Sequence, residues 1–263
     1  MRALILTILL LACAAAPAAE PARVQIDVVN DAHVPPQRLD PLLEQFRDWG
    51  ARVYAHLQPR DPGPVGLVLT ERAGPGLYIG DKVYIRPDDD EMLETWVHEL
   101  AHHATGHDSS FLFKEGVAVH TLEKLFADER RVPGGWPNYG ATSDDWVRLY
   151  AARGQLPALQ VAVDWPGYQG QGPEQDYRSW QIYLIGGSFV GWMIRTQGMN
   201  DFKDQFLEER PRGDLDKLQR QWLDSIRSDA PLIDASALLP DGKRYRGFAQ
   251  RLSAPSPASP GGR

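Results

Sequence analysis

His98, Glu99 and His102 occur in the pattern H-E-x-x-H, which can hold a metal ion and use it. Residues four apart lie on one face of an α-helix, so the two imidazoles would be about 6 Å apart along the axis and could share one zinc ion. Glu99, turned by about 100° from His98, would reach a zinc-bound water without being a ligand. The spacing predicts a Zn²⁺ site with Glu99 as general base.

The residues around this motif predict the helix that it needs. Pro87 and the acidic residues 88–91 are typical of a helix start, because acids complement the positive end of the helix dipole, and Gly106 is typical of a helix end. The intervening residues are largely apolar. Two histidines and a glutamate are costly to bury in such a helix unless something binds them.

A catalytic zinc ion needs a third protein ligand and an open position for water. Glu115 is the favoured candidate. Ser109 or Ser110 can cap a second helix that carries this glutamate, and Gly116 would let the two helices approach closely.

Two other carboxylates remain open as third ligands. Asp108 lies six residues after His102, the offset at which metzincins place their third ligand, but Thr105 stands where that motif needs glycine and His107 is one position too early. Glu123 follows His102 by 21 residues and has no supporting motif.

Three sequence blocks together resemble a known family. H-E-x-x-H at 98–102 is followed by F-K-E-G-V-A at 113–118 and by Y-L-I-G-G-S-F-V at 183–190. A further helix, ending in Gln-Trp-Leu at 221–223, is a weaker likeness. Over residues 90–225 the chain resembles the gluzincin zinc metallopeptidases of the peptidase MA-like type.

The resemblance implies a set of roles for individual residues. His98, His102 and Glu115, the last in Glu-Gly-x-Ala, would be the zinc ligands. Glu99 would be the base that activates water for hydrolysis of peptide bonds, and Tyr183 would stabilise the oxyanion. A buried tyrosine of the core is an equally good interpretation of Tyr183.

Two features of the sequence depart from the family's pattern and leave the substrate class open. Only 12 residues separate His102 from Glu115, and the segment 128–177 is an insertion rich in Trp, Tyr, Pro and Gly. The aromatic residues of this insertion could form a lid over the zinc site or, as we favour, the core of a loop-rich subdomain.

The elements that would position the motif predict an α+β fold. Apolar spacing indicates a strand at 24–29, a helix at 41–57 and a buried strand at 65–70. Residues 76–85 are typical of a hairpin that turns at Gly80. The remainder is mostly helical, so we expect a zincin-like architecture: a small N-terminal mixed sheet with a hairpin, the zinc-binding helix and a helical C-terminal part.

The two ends of the chain are expected to lie outside the catalytic domain, which we place at 22–228. Residues 1–18 are typical of a signal peptide, and Cys13 lies in a sequence similar to a lipobox, so a lipid anchor there is an alternative. Both interpretations predict export to the periplasm, the cell envelope or the medium. The Pro/Ser/Gly-rich residues 251–263 predict a disordered tail.

Composition narrows the function further. The 263 residues include 28 Lys and Arg against 35 Asp and Glu, which argues against nucleic acid as a partner. A single cysteine excludes a disulfide framework and a cysteine-based zinc site. After the leader, no apolar run is long enough for a transmembrane helix. We therefore expect a zinc-dependent metallopeptidase acting on peptide or protein substrates. The alternatives are a zinc-stabilised binding protein without catalysis and a zinc amidohydrolase of non-peptide substrates.

Overall fold

The structure, a computed structural model, describes residues 24–60, 63–72, 77–106, 109–167 and 172–253.

Several sequence predictions fall outside that part of the chain. The predicted signal peptide 1–18, with Cys13, lies before the first described residue. Asp108, one of the candidate ligands, lies in the gap at 107–108, and residues 254–263 of the predicted tail follow the last described residue.

The strands form one four-stranded mixed sheet in the order β1-β2-β4-β3. β1 (Ile26–Asn30) and β4 (Lys82–Ile85) both pair in parallel with β2 (Val65–Leu69), which is buried between them. β3 (Leu77–Ile79) pairs antiparallel with β4 and lies at the edge of the sheet. The predicted hairpin with its turn at Gly80 is therefore confirmed.

Helices make up most of the remaining described residues. They are α1 (Pro36–Leu57), α2 (Met92–Thr105), α3 (Phe111–Asp128), α4 (Ser143–Ala152), α5 (Leu159–Val163), α6 (Pro173–Gln197), α7 (Met199–Leu207), α8 (Leu215–Ser225), α9 (Ala235–Leu238) and α10 (Lys243–Ser253). The α+β class, with a small mixed sheet and a mostly helical C-terminal part, is thus confirmed. None of these helices combines the length and the apolar character needed to cross a membrane.

The helix pairs α2–α3 and α3–α6 form the centre of the molecule. α3 approaches α6 where two glycines face each other: a Cβ atom on Gly116 would lie 2.6 Å from the carbonyl carbon of Gly186. Only residues without side chains allow the backbones to come this close. This contact lies next to Glu115 and fixes the position of α3 at the candidate site.

Two groups of buried side chains form the core. The larger group joins the sheet to α1, α2, α3 and α6, with Phe46 stacked on Trp96 at 4.9 Å between ring centroids. The smaller group is aromatic and includes Trp146, Tyr150 and Trp180. Aromatic residues of the insertion do therefore form a subdomain core, as favoured from the sequence.

The packed part of the chain continues past residue 228, where the sequence placed the end of the domain. Ala235, Phe248 and Leu252 are buried in the aromatic core, and Phe248 stacks on Trp180 at 4.9 Å. α10 includes residues 251–253, the first three of the predicted tail. The helix is short and rich in arginine, so its few apolar residues give a weak signal in the sequence.

A histidine pair on the far side of α3 predicts that acid destabilises the fold. His120 is 8% exposed and lies 5.6 Å from His56 between ring centroids. Burial, with His56, Arg195 and Lys124 nearby, lowers the pKa of His120 to about 3, and burial also lowers the pKa of His56. Both rings therefore fold in the neutral form.

Because the folded pKa of His120 is lowered, its contribution to stability is complete above the unfolded pKa of about 6.5 and is lost as the pH falls from there towards 3. We expect His120 to cost the wild type about 2 to 3 kcal/mol of unfolding free energy between pH 7 and pH 4.5. The unfolding free energy of His120→Gln should therefore decrease less between these two pH values. Urea unfolding of both proteins at each pH, in the presence of chelator, measures the two decreases, and equal decreases in the two proteins would contradict the prediction.

Candidate metal centre

α2 carries both histidines of the motif on one face. The helix follows Glu91 and ends at Gly106, whose φ of 82° is readily adopted only by glycine. The imidazole rings of His98 and His102 lie 4.9 Å apart between centroids, with the planes nearly perpendicular. The predicted helix, its start and its end are confirmed, and the one-turn spacing brings the two rings together as expected.

α3 brings Glu115 to the two histidines. Ser110 caps this helix by accepting a hydrogen bond from the backbone N–H of Phe113. The Oε2 atom of Glu115 lies 3.3 Å from the Nε2 atom of both His98 and His102. Together the three side chains offer ligand atoms that all lie within 4.8 Å of one another, an arrangement that could hold a metal ion.

The structure separates Glu123, one of the other candidate ligands, from this group. Glu123 accepts hydrogen bonds from the backbone N–H and the hydroxyl of Ser143, at 2.6 and 2.9 Å, and from the side chain of Asn138. It thus joins α3 to the insertion rather than to the histidines. Asp108 lies outside the described residues.

Electrostatic coupling holds the three side chains together. Burial alone would raise the pKa of Glu115, but attraction to His102 and hydrogen bonds with both imidazoles lower it well below its ordinary value. Burial would lower the pKa of His102, but Glu115 raises it above the ordinary value. The site therefore favours an ionised carboxylate with positive charge next to it.

This donor set fits a divalent metal ion. Two imidazole nitrogens and one carboxylate oxygen are common zinc ligands, and they converge here from two helices whose separation is fixed by packing. The other oxygen of Glu115, Oε1, lies 3.6 Å from the ammonium group of Lys114, which is only 29% exposed. Lys114 thus helps to keep Oε2 turned towards the histidines.

One member of this group, His98, lines a cleft of about 510 Å³. The cleft is lined by Leu77, Glu91, Glu94, Thr95, His98, Glu99, Trp136, Tyr139, Tyr183, Pro240, Arg244 and Tyr245. His98 and Glu99 both reach it and are partly exposed. His98 and Glu99 are therefore accessible from the same space.

Tyr183 of α6 lies beside the metal-binding group. Its ring stacks on that of His98 at 6.0 Å between centroids and is 9% exposed. Phe111 and Trp136 contact the same ring edge-on, at 5.4 and 5.7 Å. Tyr183 is thus a well-packed residue that also lines the cleft, so its structural role and its predicted role at the site are compatible.

A loop of the insertion is held over the cleft by the start of α2. Both carboxylate oxygens of Glu94 accept backbone N–H groups, from Gly134 at 2.9 Å and Gly135 at 2.8 Å, and Glu91 accepts that of Trp136 at 3.4 Å. Trp136 is thereby positioned against Tyr183. The insertion therefore contributes both the subdomain core and one wall of the cleft.

α10 forms another wall of the cleft through Arg244 and Tyr245, two residues for which no sequence motif predicts a role at the site. A weak signal was present: Tyr245, Phe248 and Leu252 follow the three- and four-residue spacing of an amphipathic helix. That spacing predicts the helix, but nothing local indicates that it folds back to residue 98.

His103, next to the motif, is not part of the metal-binding group. Its Nδ1 atom lies 3.0 Å from the hydroxyl of Tyr78, so it ties the edge strand β3 to α2.

The chain matches no protein-family model, no curated protein and no solved structure.

Proposed function

We propose that this chain is a zinc-dependent metallopeptidase with a zincin-like, gluzincin-type architecture. The observation that carries the proposal is the position of Glu115, whose Oε2 atom lies 3.3 Å from the Nε2 atoms of both motif histidines. A purely structural zinc site closes with four protein ligands, whereas a catalytic site has three and an open position. The group in the described residues has three members, and one of them, His98, lines a cleft.

The residues of the site have complementary roles in this proposal. When bound, zinc supplies Lewis-acid chemistry: it lowers the pKa of water to about 7 and polarises a carbonyl group. Glu99 accepts the proton of the attacking water and transfers it to the leaving amine. The hydroxyl of Tyr183 donates a hydrogen bond to the oxygen that gains charge. His98, His102 and Glu115 hold the ion.

The edge of the sheet supports a peptide or protein as the substrate. β3 is an edge strand, and its residue Leu77 lines the cleft beside His98 and Glu99. Leu77 and Ile79 point to the same side of the strand and are 50% and 57% exposed. An extended peptide could add to this strand by backbone hydrogen bonds and lie across the metal-binding group.

The experiment that tests the proposal combines metal analysis with hydrolysis of a mixed peptide library. We expect one zinc ion per chain, cleavage of peptides, loss of cleavage with chelator and recovery after addition of zinc. Bound zinc without any cleavage would favour the non-catalytic binding protein. Release of products from non-peptide amides alone would favour the amidohydrolase. Export, which follows from the predicted leader, is tested separately by fractionation of cells.

A further inference from the structure

α10 brings a positive charge to the cleft. Arg244 is the one Arg or Lys among the described residues that line it. Its guanidinium carbon lies 4.6 Å from the ring centroid of Trp136, a distance typical of a cation–π contact. The basic group is therefore placed on the aromatic wall that continues from Tyr183.

A second residue fixes the orientation of this guanidinium. The Nε and Nη2 atoms of Arg244 donate hydrogen bonds to the two carboxylate oxygens of Asp176, at 2.6 and 2.5 Å. Burial would lower the pKa of Arg244, but Asp176 raises it, so the group stays charged. A side-on pair of this kind holds the planar group rigidly.

The same pairing leaves one nitrogen of Arg244 available. Nη1 carries two N–H donors, and it makes no hydrogen bond within the described part of the chain. Asp176 therefore orients the guanidinium without using all of its donors. The side chain of Arg244 is 42% exposed, so a ligand in the cleft can reach these donors and accept a hydrogen bond from them.

The distance from the metal-binding group suits a short stretch of substrate. His98 stacks on Tyr183 at 6.0 Å, Tyr183 contacts Trp136 at 5.7 Å, and Trp136 lies 4.6 Å from the guanidinium. These three distances limit the separation between His98 and Arg244 to about five residues of extended peptide.

The negative side chains that line the cleft are Glu91, Glu94 and Glu99, which belong to α2 and to the residue before it. Both oxygens of Glu94 and one oxygen of Glu91 accept backbone N–H groups of the loop before and at Trp136, which compensates their charge in part. A substrate carboxylate would be repelled by these acidic groups and attracted to Arg244.

We propose that Arg244 determines substrate specificity by binding a carboxylate of the peptide through its Nη1 donors. This inference rests on the proposed peptidase function and adds the class of substrate: a peptide with a carboxylate within about five residues of the bond that is cleaved. The carboxylate comes either from the C-terminus of a short peptide or from an Asp or Glu side chain.

The test uses pairs of fluorogenic peptides that differ in one group. One pair has a free or an amidated C-terminus, and the others have Glu or Gln at each position on both sides of the cleaved bond. A charged hydrogen bond of this kind changes kcat/KM by about 10- to 100-fold. We expect the wild type to prefer the carboxylate partner by this factor in one pair, mainly through KM. Arg244→Gln should lose the preference and cleave the neutral partner as well as the wild type does.

A matched control separates recognition from loosening of α10. Arg251 is on the same helix and pairs with Glu174 of α6, as Arg244 pairs with Asp176. It does not line the cleft within the described residues. Arg251→Gln should therefore keep the preference for the carboxylate. Equal losses on both members of a pair in Arg244→Gln, or no preference in the wild type, would overturn the proposal.

A binding measurement tests the role of Arg244 separately from the proposed peptidase function. Calorimetry with short acidic peptides and their neutral analogues can be carried out on zinc-loaded Glu99→Gln protein, with and without Arg244→Gln. Selective binding of the acidic peptide that disappears with Arg244→Gln supports the proposal even if no hydrolysis is detected. Hydrolysis of peptides without any discrimination of charge would leave the peptidase function standing and refute the role of Arg244.

Discussion

Glu99→Gln should leave zinc bound and lower the rate of peptide hydrolysis by about 10²- to 10⁴-fold, the usual contribution of a general base. Glu99 lines the cleft next to His98 but is not part of the group that could hold the metal. Glutamine keeps the size of the side chain and its ability to accept a hydrogen bond, but it cannot take a proton. The expected loss is in kcat rather than in zinc content.

Two controls make this result specific. Glu129→Gln removes one negative charge from the end of α3, where Glu129 pairs with Arg52, and should leave kcat and zinc content unchanged. Glu99→Asp keeps the carboxylate but withdraws it from the cleft, so it should retain more activity than Glu99→Gln. Full hydrolytic activity in Glu99→Gln, measured with zinc content verified, would remove the proposed mechanism.

The local part of the site was predictable from the sequence because helix geometry is local. One turn of α2 brings His98 and His102 together whatever the rest of the chain does. The Ser110 cap, the Gly106 end and the hairpin at Gly80 also depend on a few neighbouring residues. Such features are set by backbone preferences and capping, which the sequence displays directly.

The walls of the cleft could not be predicted in this way because they depend on long-range packing. Trp136 reaches the site only because Glu91 and Glu94, more than 40 residues earlier, accept the N–H groups of its loop. Arg244 lies beyond the predicted end of the domain, and its hydrogen bond to Asp176 of α6 holds it at the cleft. Neither interaction has a signature within a short window of sequence.

The choice of the third ligand was intermediate between these two cases. Spacing alone leaves Asp108 and Glu123 as alternatives to Glu115 for the third ligand, because the chain after α2 could bring any of the three back to the histidines. In the structure, Glu115 lies beside the histidines because α3 packs on α6, where Gly116 and Gly186 allow the backbones to meet. The two glycines are far apart in the sequence, and nothing in the sequence near either of them indicates that they meet.

Glu115→Gln should weaken zinc binding by more than about 100-fold, since removal of a group that only orients a ligand typically costs 10- to 100-fold. The amide is a poorer zinc donor than the carboxylate. It also carries no negative charge to compensate the positive charge beside His102, whose Nε2 atom lies 3.3 Å from Oε2 in the wild type. Zinc content after dialysis and competition with a chromophoric chelator measure the effect. Circular dichroism of the metal-free variant checks that the fold is retained.

Asp108→Asn provides the matched control, because it makes the same change from carboxylate to amide at the rival position. We expect it to keep its zinc and its activity, since Glu115 already supplies an oxygen between the two imidazoles. The opposite pattern, with zinc lost from Asp108→Asn and kept in Glu115→Gln, would assign the third position to Asp108. In that case the 3.3 Å contacts of Glu115 would orient the histidines, and the affinity lost on its removal would stay below about 100-fold.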